Sequence, residues 1–147
     1  MYNIVTLQNK GQNLPDLTLV MLGAGSSSRF HQKTKKQWLR IGDLPLWLYA
    51  THNLSSLYPF KQIIVTTTPD EHFYAQKFSE TITFVEGGAT RQESLQNALS
   101  HVTTPYVLVS DIARPCIDQA MLVRILSEME NADIVVPYLP VVDTVVY

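Results

Sequence analysis

The alternation of short apolar runs with stretches of helical spacing constrains the fold of this chain more than any other feature of its sequence. Five runs have the length of a strand and are largely apolar: residues 17–22, 62–67, 82–85, 106–109 and 134–136. Helical patterns lie between them, beginning near Pro45, Pro69 and Thr90 and covering residues 118–129. Strands that are apolar on both faces and alternate with helices predict an α/β fold, with a mostly parallel sheet and helices on both of its faces.

Length and composition exclude several classes of protein. The chain has 147 residues, enough for one domain, and its 46% hydrophobic and 16% charged residues are typical of neither disordered nor fibrous proteins. A formal net charge of -2 gives no overall attraction to nucleic acid or to an anionic membrane. We therefore expect neither as a partner, and any affinity for anions must be local.

The two ends of the chain and its one cysteine bear on domain organisation. Residues 1–16 are polar and lack the pattern of a secretory signal, so we interpret them as a leader before a domain at residues 17–147. Residues 141–147 form a β-branched run, unusual for a native terminus, which indicates that the domain is incomplete. Cys116 stands alone, which suits the reducing cytoplasm, and we expect it to be a small buried side chain.

The loop after the first apolar run has the composition of a phosphate-binding turn. Six successive positions hold small or hydroxyl residues: Gly23, Ala24, Gly25, Ser26, Ser27 and Ser28. Small side chains let the main chain approach a ligand, successive N–H groups bind anions, and hydroxyls add donors. Arg29 and Lys36 follow and can neutralise phosphate charge, which is most of what phosphoryl-type transfer requires. On composition alone, a strand-end turn before a solvated basic surface explains the segment equally well.

Two common phosphate motifs do not fit this loop. The dinucleotide fingerprint requires a third glycine, where the chain has Ser28, and an acid at a strand end about twenty residues further on. Asp43 has that spacing but falls in the turn-like segment 41–45. The P-loop requires Gly-Lys followed by Ser or Thr, a sequence that does not occur.

Four patterns, the first of which includes the glycine-serine loop, follow one another along the chain. They lie at residues 23–30 with 36–45, at 87–95 around a double glycine, at 107–115 around a strand-end aspartate, and at 140–144. In this order they resemble the signatures of the 2-C-methyl-D-erythritol 4-phosphate cytidylyltransferases. The resemblance implies a Rossmann-like fold of the nucleotidyltransferase type, in which CMP passes from CTP to methylerythritol phosphate and pyrophosphate is released.

The resemblance also implies roles for individual residues. Arg29 and Lys36 would hold the triphosphate and the charge that develops at the α-phosphorus. Gly88 and Ser94 would read the cytosine edge, although a strand-to-helix turn with a capped helix (Thr90 with Glu93) also accounts for that segment.

Asp111 and Thr144 complete the expected site. Asp111 at a strand tip would be a ligand of Mg²⁺, which takes few protein carboxylates and completes its shell with phosphates and water. A turn or helix-capping aspartate is the alternative. Thr144 would lie near the methylerythritol phosphate, at the start of an arm that is exchanged in a homodimer, and an ordinary strand threonine is the alternative there.

The sequence departs from the family pattern at four places. Gly23 stands where alanine is usual, Lys35 where proline is usual, Ala89 where a polar residue is frequent, and Ser110 where histidine is usual. Arg114, within the third signature, is expected to brace its loop by a salt bridge rather than to touch substrate.

Alternatives of function also remain open. A sugar-1-phosphate nucleotidyltransferase would share the general form of the glycine-serine loop. A nucleotide-binding fragment without turnover is favoured by the apparent incompleteness of the chain. The sequence Lys35-Lys36-Gln37-Trp38 resembles the corresponding segment of the fused, multifunctional version of the enzyme, in which a cyclodiphosphate synthase follows in the same chain.

Overall fold

The structure is a computed structural model that describes residues 14–25 and 34–139. The strands in these ranges are β1 (Leu17–Leu22), β2 (Arg40–Ile41), β3 (Leu44–Pro45), β4 (Gln62–Thr67), β5 (Thr83–Glu86) and β6 (Tyr106–Asp111). The α-helices are α1 (Leu46–Leu57), α2 (Pro69–Ala75), α3 (Arg91–Leu99) and α4 (Gln119–Ser127), and short 3₁₀ helices lie at Lys36–Trp38 and Gln76–Phe78. None of the described helices combines the length and the apolar character that crossing a membrane demands.

A four-stranded parallel sheet forms the centre of the molecule, as the sequence predicts. Its strand order is β5–β4–β1–β6, so the chain builds outward from β1 to β5 and then places β6 on the other side of β1. Leu22, the last residue of β1, lies opposite Thr66 of β4 and Asp111 of β6. In open α/β sheets, ligands bind beyond the carboxyl ends of the strands where the strand order reverses, and here that place is the end of β1.

Helices cover both faces of the sheet because β1 is apolar on both of its sides. Successive side chains of a strand point to opposite faces. Leu19 and Met21 cluster with residues of α1, while Val20 and Leu22 cluster with Ala98 of α3, and all five side chains are buried. The prediction of helices on both faces is confirmed.

Side-chain caps fix the starts of α3 and α4. Thr90 Oγ1 accepts the Glu93 N–H at 3.1 Å while Glu93 Oε2 accepts the Thr90 N–H at 3.3 Å, which is the predicted capping box. Asp118 Oδ1 accepts the Met121 N–H at 2.8 Å at the start of α4. A cap of this kind stabilises a helix by about 1 kcal/mol. The first turn of α3, which borders the site described below, is therefore held firmly.

A small hairpin leads from the 3₁₀ helix at Lys36–Trp38 into α1. Strands β2 and β3 pair antiparallel, and Gly42 between them has a φ of 59°, a left-handed conformation that favours glycine. Pro45 ends β3 and is the N-cap of α1, which begins at Leu46, one position later than a helix with Pro45 as its first residue would begin.

Two expectations about the second half of the chain are wrong. Residues 134–136 form no strand, and Ile134 and Val136 are 80% and 72% exposed. No described strand pairs with them, and β-branched composition alone does not hold a segment in a sheet without a hydrogen-bonded neighbour. Cys116 is exposed rather than buried, because it lies in the connection between β6 and α4 and not in an element that packs on the sheet.

Candidate functional site

A cavity of about 920 Å³ lies beyond the carboxyl ends of β1, β4 and β6. Seven residues that the sequence singled out line it: Gly23, Ala24, Gly25, Lys36, Gly88, Ser94 and Asp111. They come from four separate segments of the chain, and the parallel sheet brings them together because the carboxyl ends of its strands share one edge.

The turn after β1 fits tightly against β4. The Gly23 N–H donates to Thr66 Oγ1 at 3.0 Å. A Cβ placed on Gly23 would lie 2.7 Å from the Thr66 carbonyl oxygen, so a larger residue would push the turn off the strand. This contact accounts for glycine rather than a larger residue at position 23.

The turn after β5 touches the turn after β1 directly. A Cβ on Gly87 would lie 2.2 Å from Ala24 Cβ, a distance that real Cβ atoms do not show. The two turns can therefore approach only because neither carries a large side chain there. Together they form one continuous wall of main chain along the cavity.

The Ser94 hydroxyl organises the double-glycine turn from the first helical turn of α3. Its oxygen accepts the Gly88 N–H at 3.1 Å, and its hydrogen is donated to the Thr90 carbonyl at 2.9 Å. Ser94 is buried, with only 5% of its surface exposed, yet it lines the cavity. A hydroxyl oxygen has two acceptor positions, so one of them is left to face the cavity.

An ion pair crosses the cavity between α3 and β6. Arg91 Nη1 donates to Asp111 Oδ2 at 2.8 Å, and Asp111 Oδ1 accepts the Ala113 N–H at 3.2 Å. The expectation that Arg114 would form a salt bridge is wrong within the described residues: only its main-chain N–H contacts Asp111, through the carbonyl oxygen. The pairing falls to Arg91, whose long side chain reaches from the first residue of α3 to the tip of β6.

Lys35 and Lys36 both line the cavity, and the charge of Lys35 is paired with two carboxylates. Lys35 Nζ lies 3.1 Å from Asp70 Oδ2 and 3.0 Å from Glu71 Oε1, in the first turn of α2. Partial burial acts to lower the pKa of Lys35, but its hydrogen bonds with Glu71 and Asp70 outweigh burial and raise the pKa above its usual 10.5. The charge of Lys35 is thus held by two carboxylates, and we do not count it as a phosphate ligand.

Gln37 joins the turn after β1 to helix α2. Its buried side-chain amide donates to the Gly25 carbonyl at 3.3 Å and to Glu71 Oε2 at 3.1 Å. Lys36 is therefore flanked on both sides by residues that are anchored to the first turn of α2. This anchoring fixes the main chain from which the Lys36 side chain extends.

The sequence matches one family, IspD: 2-C-methyl-D-erythritol 4-phosphate cytidylyltransferase, over residues 17–147. This chain belongs to the IspD family. The match begins at the first residue of β1 and includes every element of the site described above.

Relatives of IspD type support the assignment in sequence and in structure. The bifunctional enzyme IspD/IspF of Sulfurimonas denitrificans is 51% identical over 147 residues, which is 100% of this chain and 38% of the relative. The bifunctional IspDF from Campylobacter jejuni superposes with a TM-score of 0.85 at 46% identity, covering 90% of this chain and 35% of that one. The cytidylyltransferase from Thermus thermophilus gives a TM-score of 0.65 at 27% identity, covering 90% and 58%. This chain thus spans about a third of the bifunctional relatives.

Several predicted site residues lie outside the part of the chain that the structure describes. They are Ser26, Ser27, Ser28, Arg29 and Thr144. Their proposed roles in an IspD site stay predictions.

Sequence reasoning missed Gln37 and Arg91 as contributors to the site. Gln37 belongs to the lysine-glutamine-aromatic run, but that sequence pattern does not indicate that its side-chain amide donates to the Gly25 carbonyl. Arg91 was visible as the arginine after the double glycine. Its partner Asp111 lies 20 residues further on, and only the pairing of β6 with β1 indicates that the two could meet.

The residues present suit one hard cation that is bound chiefly through a nucleotide. Within the described ranges, no group of three or more His, Cys, Asp or Glu side chains could enclose a metal by itself. Asp111 offers a partly exposed carboxylate at the cavity wall, with 32% of its side chain exposed. A single carboxylate with phosphates and water is the ligand set typical of Mg²⁺.

Proposed function

We propose that this chain forms the nucleotide-binding part of a 2-C-methyl-D-erythritol 4-phosphate cytidylyltransferase. The reaction transfers CMP from CTP to methylerythritol phosphate and releases pyrophosphate, in the non-mevalonate route to isoprenoid precursors. One observation carries the proposal: the glycine turn, Lys36, Ser94 and Asp111 line a single cavity at the strand-order reversal of a parallel sheet. That combination supplies a main-chain cradle, a cation, a base-facing hydroxyl and a metal-binding carboxylate.

The Ser94 oxygen favours cytosine over uracil. Its hydrogen is already donated to Thr90, so toward a base it can only accept. Cytosine presents an amino group, which donates, where uracil presents a carbonyl oxygen, which accepts. We therefore assign Ser94 to the amino group of CTP. The Gly88 N–H already donates to the Ser94 hydroxyl. We therefore assign to Gly88 only a packing contact between its main chain and the base.

The triphosphate is assigned to the turn of Gly23, Ala24 and Gly25, and to the serines and Arg29 that follow. Main-chain N–H groups in such a turn bind anions, and hydroxyls add donors. Lys36 lines the same cavity. Its ammonium and the Arg29 guanidinium would neutralise the charge that grows at the α-phosphorus as the bond to pyrophosphate breaks.

Asp111 is the residue that would hold Mg²⁺. When bound, Mg²⁺ would neutralise phosphate oxygens and support the departure of pyrophosphate. No side chain needs to act as a nucleophile, since a phosphate oxygen of methylerythritol phosphate is already ionised and forms the new bond to the α-phosphorus. The work of this chain is to bind, to orient and to neutralise charge.

The remaining parts of the proposal concern the whole protein. Thr144 is assigned to the methylerythritol phosphate, and we expect a homodimer in the cytoplasm. The bifunctional relatives are 51% and 46% identical to this chain, whereas the Thermus thermophilus cytidylyltransferase is 27% identical. This difference favours a bifunctional protein in which a cyclodiphosphate synthase accompanies the present region.

Replacement of Lys36 in the full-length protein tests the proposed activity. Lys36→Ala should lower the rate of pyrophosphate release from CTP and methylerythritol phosphate by at least about 100-fold, because a preorganised charge is lost next to the reacting phosphate. Lys61→Ala is the matched control. That residue precedes β4 at the opposite end of the sheet and pairs loosely with Asp16 at 3.8 Å, so its loss should leave the rate unchanged.

Substrate panels complete this test. The wild-type protein should use CTP well and UTP poorly, and methylerythritol phosphate rather than a sugar 1-phosphate. Full turnover in Lys36→Ala would refute the role of Lys36. A preference for UTP with a sugar 1-phosphate would refute the cytidylyltransferase assignment, and heat of CTP binding without any turnover would leave a nucleotide-binding protein in its place.

A further inference from the structure

The ion pair between Arg91 and Asp111 places a cation on the carboxylate that the proposed function reserves for Mg²⁺. The two charged atoms are 2.8 Å apart, closer than any other ion pair among the described residues. They are 20 positions apart in the chain and belong to different elements, the first turn of α3 and the tip of β6. The pair therefore links two parts of the cavity wall, one on α3 and the other at the end of β6.

Both oxygens of Asp111 are engaged in this arrangement. Oδ2 accepts from Arg91, and Oδ1 accepts the Ala113 N–H at 3.2 Å. The Ala113 contact lies within one loop and leaves room on Oδ1 for a second partner. A divalent cation at Oδ2 would occupy the place of the Arg91 guanidinium. One at Oδ1 would share the same carboxylate with it, and in either position the two positive charges repel each other.

Arg91 is able to leave that place. Its side chain is 65% exposed, compared with 32% for Asp111, and it extends from the first residue of α3. The helix start does not depend on it, because Thr90 and Glu93 provide the capping box. Arg91 can thus turn toward another anion while the main chain of the site stays fixed.

We propose that Arg91 acts as a counter-ion latch, by which we mean that it occupies Asp111 until a nucleotide brings a metal ion. This proposal rests on the function proposed above. In the free protein, Arg91 satisfies the carboxylate and disfavours binding of a divalent cation that arrives alone. A cation that arrives with a nucleoside triphosphate brings phosphate oxygens, which give Arg91 a new partner as it leaves Asp111. The latch therefore couples metal binding to nucleotide binding, and Arg91 is a positioning residue rather than a metal ligand.

Binding of Mn²⁺ alone, measured by electron paramagnetic resonance in the full-length protein without nucleotide, tests this assignment. Arg91→Gln should bind Mn²⁺ about two- to fivefold more tightly than wild type, the range that loss of a partly exposed ion pair implies. Arg91→Lys should lie between the two, since it keeps the charge but loses the planar guanidinium. In Arg91→Gln, the gain in Mn²⁺ affinity on adding CTP should also shrink.

Arg114→Gln is the matched control for charge. It removes the same charge three positions from Asp111, and no ion pair of Arg114 is present among the described residues. The proposal is overturned if Arg91→Gln binds Mn²⁺ no more tightly than wild type, or if Arg114→Gln shows the same gain. Asp111→Asn separates this failure from that of the proposed function. If Mn²⁺ binding persists in Asp111→Asn, the metal assignment itself is wrong, whereas loss of binding there with no gain in Arg91→Gln refutes only the latch.

Discussion

At the scale of single residues, the site depends on short side chains as much as on charged ones. Gly23 and Gly87 allow two turns to lie against β4 and against each other, at distances that a Cβ would not permit. Ser94 then uses its hydroxyl twice, once on each side, to hold the second turn to α3. These contacts place main-chain groups around the cavity before any charged side chain contributes.

Tyr58 shows how a single buried group should give the molecule a measurable pH dependence. Its hydroxyl donates to the Pro15 carbonyl, and burial, with a smaller effect of Asp16, raises its pKa to about 12. A group whose pKa is raised on folding stabilises the fold fully below its unfolded pKa, near 10, and this stability is lost as the pH rises toward 12.

The free energy of unfolding in urea at pH 8 and pH 11 tests this effect. Wild type should lose more stability between these values than Tyr58→Phe, which cannot ionise and should be about 1 kcal/mol less stable at pH 8 because the hydrogen bond is gone. Tyr49→Phe is the control and should behave as wild type, because Tyr49 is an exposed residue of α1, the helix that ends just before Tyr58. Equal losses in wild type and Tyr58→Phe would show that Tyr58 does not contribute.

At the scale of elements, sequence patterns predicted the parts of the fold that local rules determine. The bounds of β1 and β4 and the capping box of α3 agree with the structure, because apolar runs and caps are encoded within a few residues. The segment 134–136 was mispredicted because a strand also needs a neighbour. The brace between Gln37 and Glu71 was not foreseen, since it joins two elements that are 34 residues apart.

Glu71 is the centre of that brace, and its replacement should affect turnover more than nucleotide binding. Its carboxylate accepts from Gln37 and pairs with Lys35, so Glu71→Gln weakens the support of the 3₁₀ helix that carries Lys36. We expect kcat for pyrophosphate release to fall about tenfold with KM for CTP changed less than twofold, because a small displacement of the charge that we propose acts at the α-phosphorus would chiefly affect the transition state. Glu80→Gln, exposed beyond α2, is the control. An unchanged kcat in Glu71→Gln would contradict the brace.

At the scale of the whole molecule, the strand order explains why distant motifs meet. The sequence predicts a parallel sheet, and a parallel sheet places every strand's carboxyl end at one edge. It follows that the turn after β1, the double glycine after β5 and Asp111 at the end of β6 converge. Sequence alone could not give the order β5–β4–β1–β6, which makes Asp111 a neighbour of Leu22 and sets the shape of the cavity.

A second cavity, of about 940 Å³, lies along the outer edge of β6 beside α4. The two cavities are similar in volume, so size alone does not decide which of them binds the nucleotide. The central claim is that nucleotide binds instead at the end of β1. A crystal structure of the full-length protein with CTP and Mg²⁺ tests it most directly. We predict the triphosphate against the main chain of residues 23–25, with Lys36 and Asp111 both facing it and the base beside Ser94. Nucleotide bound in the groove beside β6 and α4, away from Gly25, would contradict the account.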